Sequence, residues 1–187
     1  MILNGLDFSK IYNSSLQKAT KMINNGLYSR FNLSEKERID KALIGCMGEE
    51  AFEQFLIQNN IKYELDSTNF DISNSDEFDF KIADKLIDVK VAKKTTKNNP
   101  HDGWTYGYPQ EQHPINKDYI IIGWIDFYNK NIGFYGWTNG SKISQYRVVT
   151  ENSYAGYKYL TPNHEFKWGI LNKDFSQLFN EIFIGKK

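Results

Sequence analysis

The segment 79–91, DFKIADKLIDVKV, constrains the chain more than any other. Phe80 and Ile82 alternate with Asp79 and Lys81, and Ile87, Val89 and Val91 alternate with Asp88 and Lys90. Each half therefore has the period of a strand with one buried face. Ala83-Asp84-Lys85 is a connection short enough to close the halves into a hairpin. Two registers keep the apolar residues together: one pairs Asp79 with Asp88, the other pairs Asp79 with Lys90. Either brings two carboxylates and an ammonium into one place. Facing carboxylates repel, so their clustering beside a lysine suits a divalent cation with oxygen ligands better than it suits structural economy.

A chain of 187 residues, 40% apolar and 16% aromatic, can bury one substantial core. The expected organisation is a helical extension over residues 1–33 and a single domain over 34–187. The formal net charge is zero, which does not advertise a nucleic-acid partner. The distribution is more informative, because Lys81, Lys85, Lys90, Lys93, Lys94 and Lys97 outnumber Asp79, Asp84 and Asp88 in one stretch. Lys93, Lys94 and Lys97 are candidate phosphate contacts, of a kind weakened by salt; a solvated lysine-rich surface is the plainer reading. Cys46 is the single cysteine, which excludes an intrachain disulfide and a cysteine zinc cluster. Its place in a helical apolar pattern makes it a small buried residue. No basic segment followed by an apolar stretch opens the chain, and no run is long enough to span a membrane, so a soluble cytoplasmic protein is expected.

Residues 9–25 carry a weak helical pattern through Ile11, Leu16, Ala19 and Ile23, interrupted by Asn24-Asn25-Gly26. Ser34 and Glu37 have capping-box spacing, and the apolar positions that follow predict a long helix over 35–58. A strand is expected at 61–65, then a polar connection over 66–77 and the hairpin. Residues 94–118 read as a loop or a series of short elements, because Asn98-Asn99-Pro100, Gly103, Gly107, Pro109 and Pro114 punctuate them. Trp104, Tyr106 and Tyr108 argue against disorder there, and local packing is their simplest role. Residues 119–127 and 132–137 suit a central strand and its neighbour. Short strands at 144–149 and 157–160 and a terminal helix at 178–183 complete the reading.

These residues resemble the PD-(D/E)xK nuclease superfamily. Asp79 matches the first motif aspartate, preceded here by Phe78 where proline is usual, and Asp88-Val89-Lys90 matches the D/E-x-K motif. The helix carrying Gly48-Glu49-Glu50 resembles the acidic helix that precedes this core in many members. Glu49 is the preferred match, since helical spacing places it beside Phe52 and Leu56, with Glu50 and Glu53 as alternatives. The resemblance spans about residues 39–137. It implies an α/β fold with a restriction endonuclease-like mixed central sheet flanked by helices.

The resemblance also implies magnesium, with manganese as a substitute, bound by Asp79, Asp88, the Val89 carbonyl and Glu49. Lys90 would orient or help activate the attacking water and hold a phosphate oxygen. The expected function is phosphodiester hydrolysis of DNA, as an endonuclease in restriction, repair or mobile-element defence, with a homodimer as a fitting assembly. A structure-selective junction nuclease and a non-catalytic DNA-binding or assembly protein are the alternatives. His101, His113 and His164 are too dispersed to announce a transition-metal centre. No nucleophile elbow or phosphate-binding glycine loop is present. Gln112 could lie near the active face in a nuclease-like fold, but its adjacent sequence gives no strong motif.

Overall fold

Ser34 starts the longest helix in the way its spacing predicts. In the computed structural model, which describes Leu3, residues 5–66 and residues 78–184, its hydroxyl accepts from the Glu37 N–H while the Glu37 carboxylate accepts from the Ser34 N–H. The helix, α2, runs Glu35–Gln58. Before it, α1 (Phe8–Asn24) is capped by Asp7 and buries Ile11, Ala19 and Ile23. Those side chains join the same core as α2.

The strands are β1 (Glu64–Leu65), β2 (Phe80–Ile82), β3 (Lys85–Lys93), β4 (Thr105–Pro109), β5 (Tyr119–Asp126), β6 (Asn131–Asn139), β7 (Val148–Glu151) and β8 (Lys158–Lys167). Two further helices are the short α3 (Gly140–Ile143) and the terminal α4 (Phe175–Ile184). Five strands form a mixed sheet in the order β1-β2-β3-β5-β6, with only β3 and β5 parallel. The remaining strands form a second sheet, β4-β8-β7. The connection expected over 66–77 lies outside the described residues beyond Asp66. Among the described residues no helix is long and apolar enough to cross a membrane.

The two faces of the five-stranded sheet are covered differently. Ile87, Val89 and Val91 of β3 point into a core shared with α1, α2 and α4, where Phe52 meets Phe80 and Phe134 edge-on at 5.1 and 5.5 Å. Ile120, Ile122 and Trp124 of β5 point the other way, onto Tyr108, Phe166 and Trp168 of the second sheet and its following turn. The long helices α1, α2 and α4 cover one face, and the second sheet together with the short α3 covers the other, a mixed α/β architecture. Only β4 of the second sheet lies in the region read as irregular loop; its partner, β8, is far along the chain, where a short strand is expected.

The β2–β3 register pairs Phe80 with Ile87 and Ile82 with Lys85, leaving Ala83 and Asp84 as a two-residue turn. Ala83 has φ of 59°. A residue with a Cβ pays about 1–2 kcal/mol for that conformation. Ala83→Gly is expected to raise stability by about 1 kcal/mol, read as a higher urea midpoint at constant slope; a lower midpoint would show that the alanine is under no such strain.

The β5–β6 connection is held by Asp126. One carboxylate oxygen accepts the N–H groups of Tyr128 and Asn129, and the other accepts the Asn129 amide and the Lys94 ammonium, at 2.8 and 2.7 Å. Burial alone would raise this carboxyl, but the Lys94 and Asn129 hydrogen bonds outweigh it and hold it at about 2. Its folded value lies below the ordinary 3.8, so its contribution is complete above about pH 4 and disappears as pH falls toward 2. Asp126→Asn is expected to flatten the stability profile across that window while lowering stability at neutral pH, where Lys94 is left unpaired. An unchanged acid slope in urea titrations would assign the effect to other carboxylates.

Candidate active site

Continuing the β2–β3 pairing by one residue puts Asp79 opposite Asp88, the first of the two registers that the alternation allows. Asp79 accepts the Val89 N–H at 2.6 Å. The N–H and C=O of one strand residue point to the same edge, so the Val89 carbonyl faces the edge where β2 begins. The Lys90 ammonium lies 2.8 Å from Asp88 Oδ2 and 3.8 Å from Asp79 Oδ2, bridging the carboxylates. All three side chains are largely withdrawn from solvent, with 6–18% of their surface exposed.

This arrangement sets the protonation states. Burial pushes the Asp79 carboxyl well above its usual range; Lys90 opposes the shift and the Asp88 and Glu49 charges add to it. For Lys90, burial works against the charged form, but Asp79 and Asp88 more than compensate and hold its pKa well above 10.5. Lys90 is an ammonium at neutral pH. Its chemistry is therefore to attract and orient oxygen atoms, since a group in that state has no lone pair with which to take a proton.

Tyr108 is a site residue that the sequence reading left among packing aromatics. It is fully buried on β4, and its hydroxyl donates to Asp88 Oδ2 at 3.1 Å. Burial and the Asp88 charge push its pKa upward, so it serves as a hydrogen-bond donor that fixes the carboxylate. No local pattern signals this role, because β4 reaches Asp88 only through the packing of the two sheets.

The three acidic candidates on α2 separate cleanly. Glu49 borders a cleft of about 620 Å³ together with Asp79, Asp88 and Lys90, and it pairs with Lys18 of α1 at 2.6 Å. Glu50 instead accepts from Ser14 on α1, and Glu53 accepts from the Tyr63 hydroxyl at 2.6 Å. The helix is held close to the site by Gly48, where a Cβ would come within 2.6 Å of the Val91 side chain. Residues 25–31, between the first two helices, form one wall of the cleft, and Arg30 pairs across it with Glu111. A second concavity of about 580 Å³, lined by Arg147, Glu151 and neighbouring residues, shares none of these groups.

The lysines read as phosphate contacts do not act as a set. Lys94 is engaged with Asp126, and its side chain is only 7% exposed, which corrects its assignment to the nucleic-acid surface. Lys93 lies over the Phe127 ring at 5.3 Å, among groups packed on the helical face. Strand alternation thus separates it from Asp88 and Lys90. Lys97 is exposed in the segment after β3. Cys46 is buried, and burial pushes its thiol up to about 12, as befits an inert core residue. His101 accepts from the Gly103 N–H, while His164 is buried and bonded to the Tyr146 carbonyl.

Among the described residues, no three histidine, cysteine or acidic side chains are already gathered around a common cation position. The donor chemistry nevertheless fits a hard divalent ion: two carboxylates meet at one ammonium, a third stands near enough to raise the Asp79 pKa, and a carbonyl points to the same edge. Neither a family model nor a characterised protein matches the chain.

Proposed function

We propose that the protein is a magnesium-dependent nuclease that hydrolyses DNA phosphodiester bonds on a restriction endonuclease-like scaffold. The observation that carries this reading is the bridging of Asp79 and Asp88 by Lys90 at the border of a cleft that also receives Glu49. Asp79, Asp88 and the Val89 carbonyl would hold magnesium, with Glu49 as a further oxygen donor and manganese as a substitute. Bound there, the metal supplies an acidified water and neutralises charge developing on the phosphate.

The protein's own groups do the remaining work. Tyr108 and the Val89 N–H fix the orientations of Asp88 and Asp79, so that the carboxylates are preorganised. The Lys90 ammonium holds a phosphate oxygen and the attacking water in place. Lys18 orients Glu49 from α1. Endonucleolytic action in restriction, repair or mobile-element defence fits this equipment.

The test is cleavage of linear, circular, branched and single-stranded DNA with magnesium or manganese. Wild type is expected to cut at least one of them, and Asp88→Asn is expected to bind DNA without cutting it. A folded wild-type protein that cuts none of them, or an Asp88→Asn protein that cuts normally, overturns the proposal.

A further inference from the structure

Most charges of the cleft are matched among themselves; Lys41 lies exposed at its border, and one buried lysine stands apart. Asp79 and Asp88 share Lys90, Glu49 holds Lys18, and Arg30 pairs with Glu111. Lys117 also lines the cleft and is 7% exposed, yet among the described residues its ammonium meets no carboxylate and no hydrogen-bond acceptor. Its stem is buried while its ammonium opens on the cleft, so it presents there a positive charge that no described side chain of the protein balances and that an anion would complete.

A second orphan stands on the same wall. Gln112 lines the cleft, and its side-chain Oε1 is sealed from solvent without a partner. A half-turn of that amide exchanges the oxygen for an N–H donor, so the group can serve an anion as well as a water. The backbone that carries Lys117 is firmly placed. Its N–H donates to the Pro114 carbonyl, the next N–H donates to Leu86 of β3, and a side chain at Gly140 would run into the carbonyls of both Pro114 and Lys117. The root of the side chain is therefore fixed at the cleft wall, which limits where its ammonium can reach.

We infer that Lys117, assisted by Gln112, is a phosphate-binding subsite that holds a backbone phosphate of the polynucleotide beside the one handled by Lys90. This rests on the nuclease reading for the identity of the ligand, and on the unpaired ammonium alone for its charge. Lys117 acts as a binding and positioning residue. Lys90 and Lys117, the two buried lysines of the cleft, would seat neighbouring phosphates, which gives the cleft a direction along the strand.

The experiment has two arms. In the first, thermal unfolding of wild type, Lys117→Met and Lys117→Arg is followed with inorganic phosphate against chloride at matched ionic strength. Phosphate is expected to raise the wild-type and Lys117→Arg midpoints and to have little effect on Lys117→Met, which should be at least as stable as wild type in chloride. A destabilised Lys117→Met with an undiminished phosphate response would make the lysine structural and overturn the inference. In the second arm, a labelled duplex is bound in calcium to prevent cutting. Lys117→Met is expected to weaken binding about 5–10-fold and to reduce the slope of log affinity against log salt by about one; an unchanged slope overturns the DNA assignment. Absence of cleavage by wild type would defeat the nuclease reading and leave the first arm readable.

Discussion

Lys90→Met is expected to lower the rate of DNA cleavage by about 10²–10³-fold, the cost of removing one preorganised charge-stabilising donor from a dry site. The same change leaves Asp79 and Asp88 facing each other without their shared cation. Removing one member of a buried ion cluster costs about 3–5 kcal/mol, reduced here to the extent that Asp79 takes up a proton. The two effects separate by adding magnesium. If the carboxylates form the metal site, magnesium should stabilise the Lys90→Met protein more than the wild type, because the metal replaces the missing charge, while cleavage stays low. Chemical unfolding with and without magnesium measures the first effect, and single-turnover cleavage measures the second. A variant that cuts at the wild-type rate would remove Lys90 from the chemistry.

Gly48→Ala should be the most damaging small substitution on α2. The added methyl would approach both Cγ atoms of Val91 within 2.8 Å. Valine is stiff about χ1, and β3 is fixed between β2 and β5, so the strain falls on the separation of helix and sheet. Overpacking of this kind costs about 1–3 kcal/mol. It also moves Glu49, the next residue, away from Asp79 and Asp88, so cleavage should fall even where the protein remains folded. Val91→Ala opens the contested space. In that background Gly48→Ala should cost at least about 1 kcal/mol less, a coupling that a double-mutant cycle reads directly. Additive effects would show that the two residues do not compete for space.

The parts of this fold legible in the sequence are those written locally. The Ser34–Glu37 box and the apolar spacing after it place α2, and strict alternation places β3. The unbroken apolar run of β5 announces a strand buried on both faces. In the second sheet β4 was illegible for a physical reason: Thr105–Pro109 contains Gly107 and Pro109, and it becomes a strand only by pairing with residues 163–167. The candidate site divides in the same way. Asp79, Asp88 and Lys90 follow from the hairpin, but Tyr108 reaches Asp88, and Lys117 reaches the cleft, through tertiary packing that no local period encodes. The lysines are a different case. Their clustering in sequence suggested one basic surface, whereas Lys93 lies over Phe127 on the helical face and Lys94, just past the end of β3, is engaged by Asp126.

The alternation along β3 decides which genetic changes this region can absorb. A conservative exchange at Ile87, Val89 or Val91 alters one contact, but loss or gain of a single codon between Leu86 and Val91 would turn Asp88 and Lys90 toward the helices and expose valines to the tyrosines. Point variants along β3 should therefore span a graded range of fitness, single-codon insertions and deletions should be uniformly null, and the reading frame of the strand should prove more constrained than most of its letters.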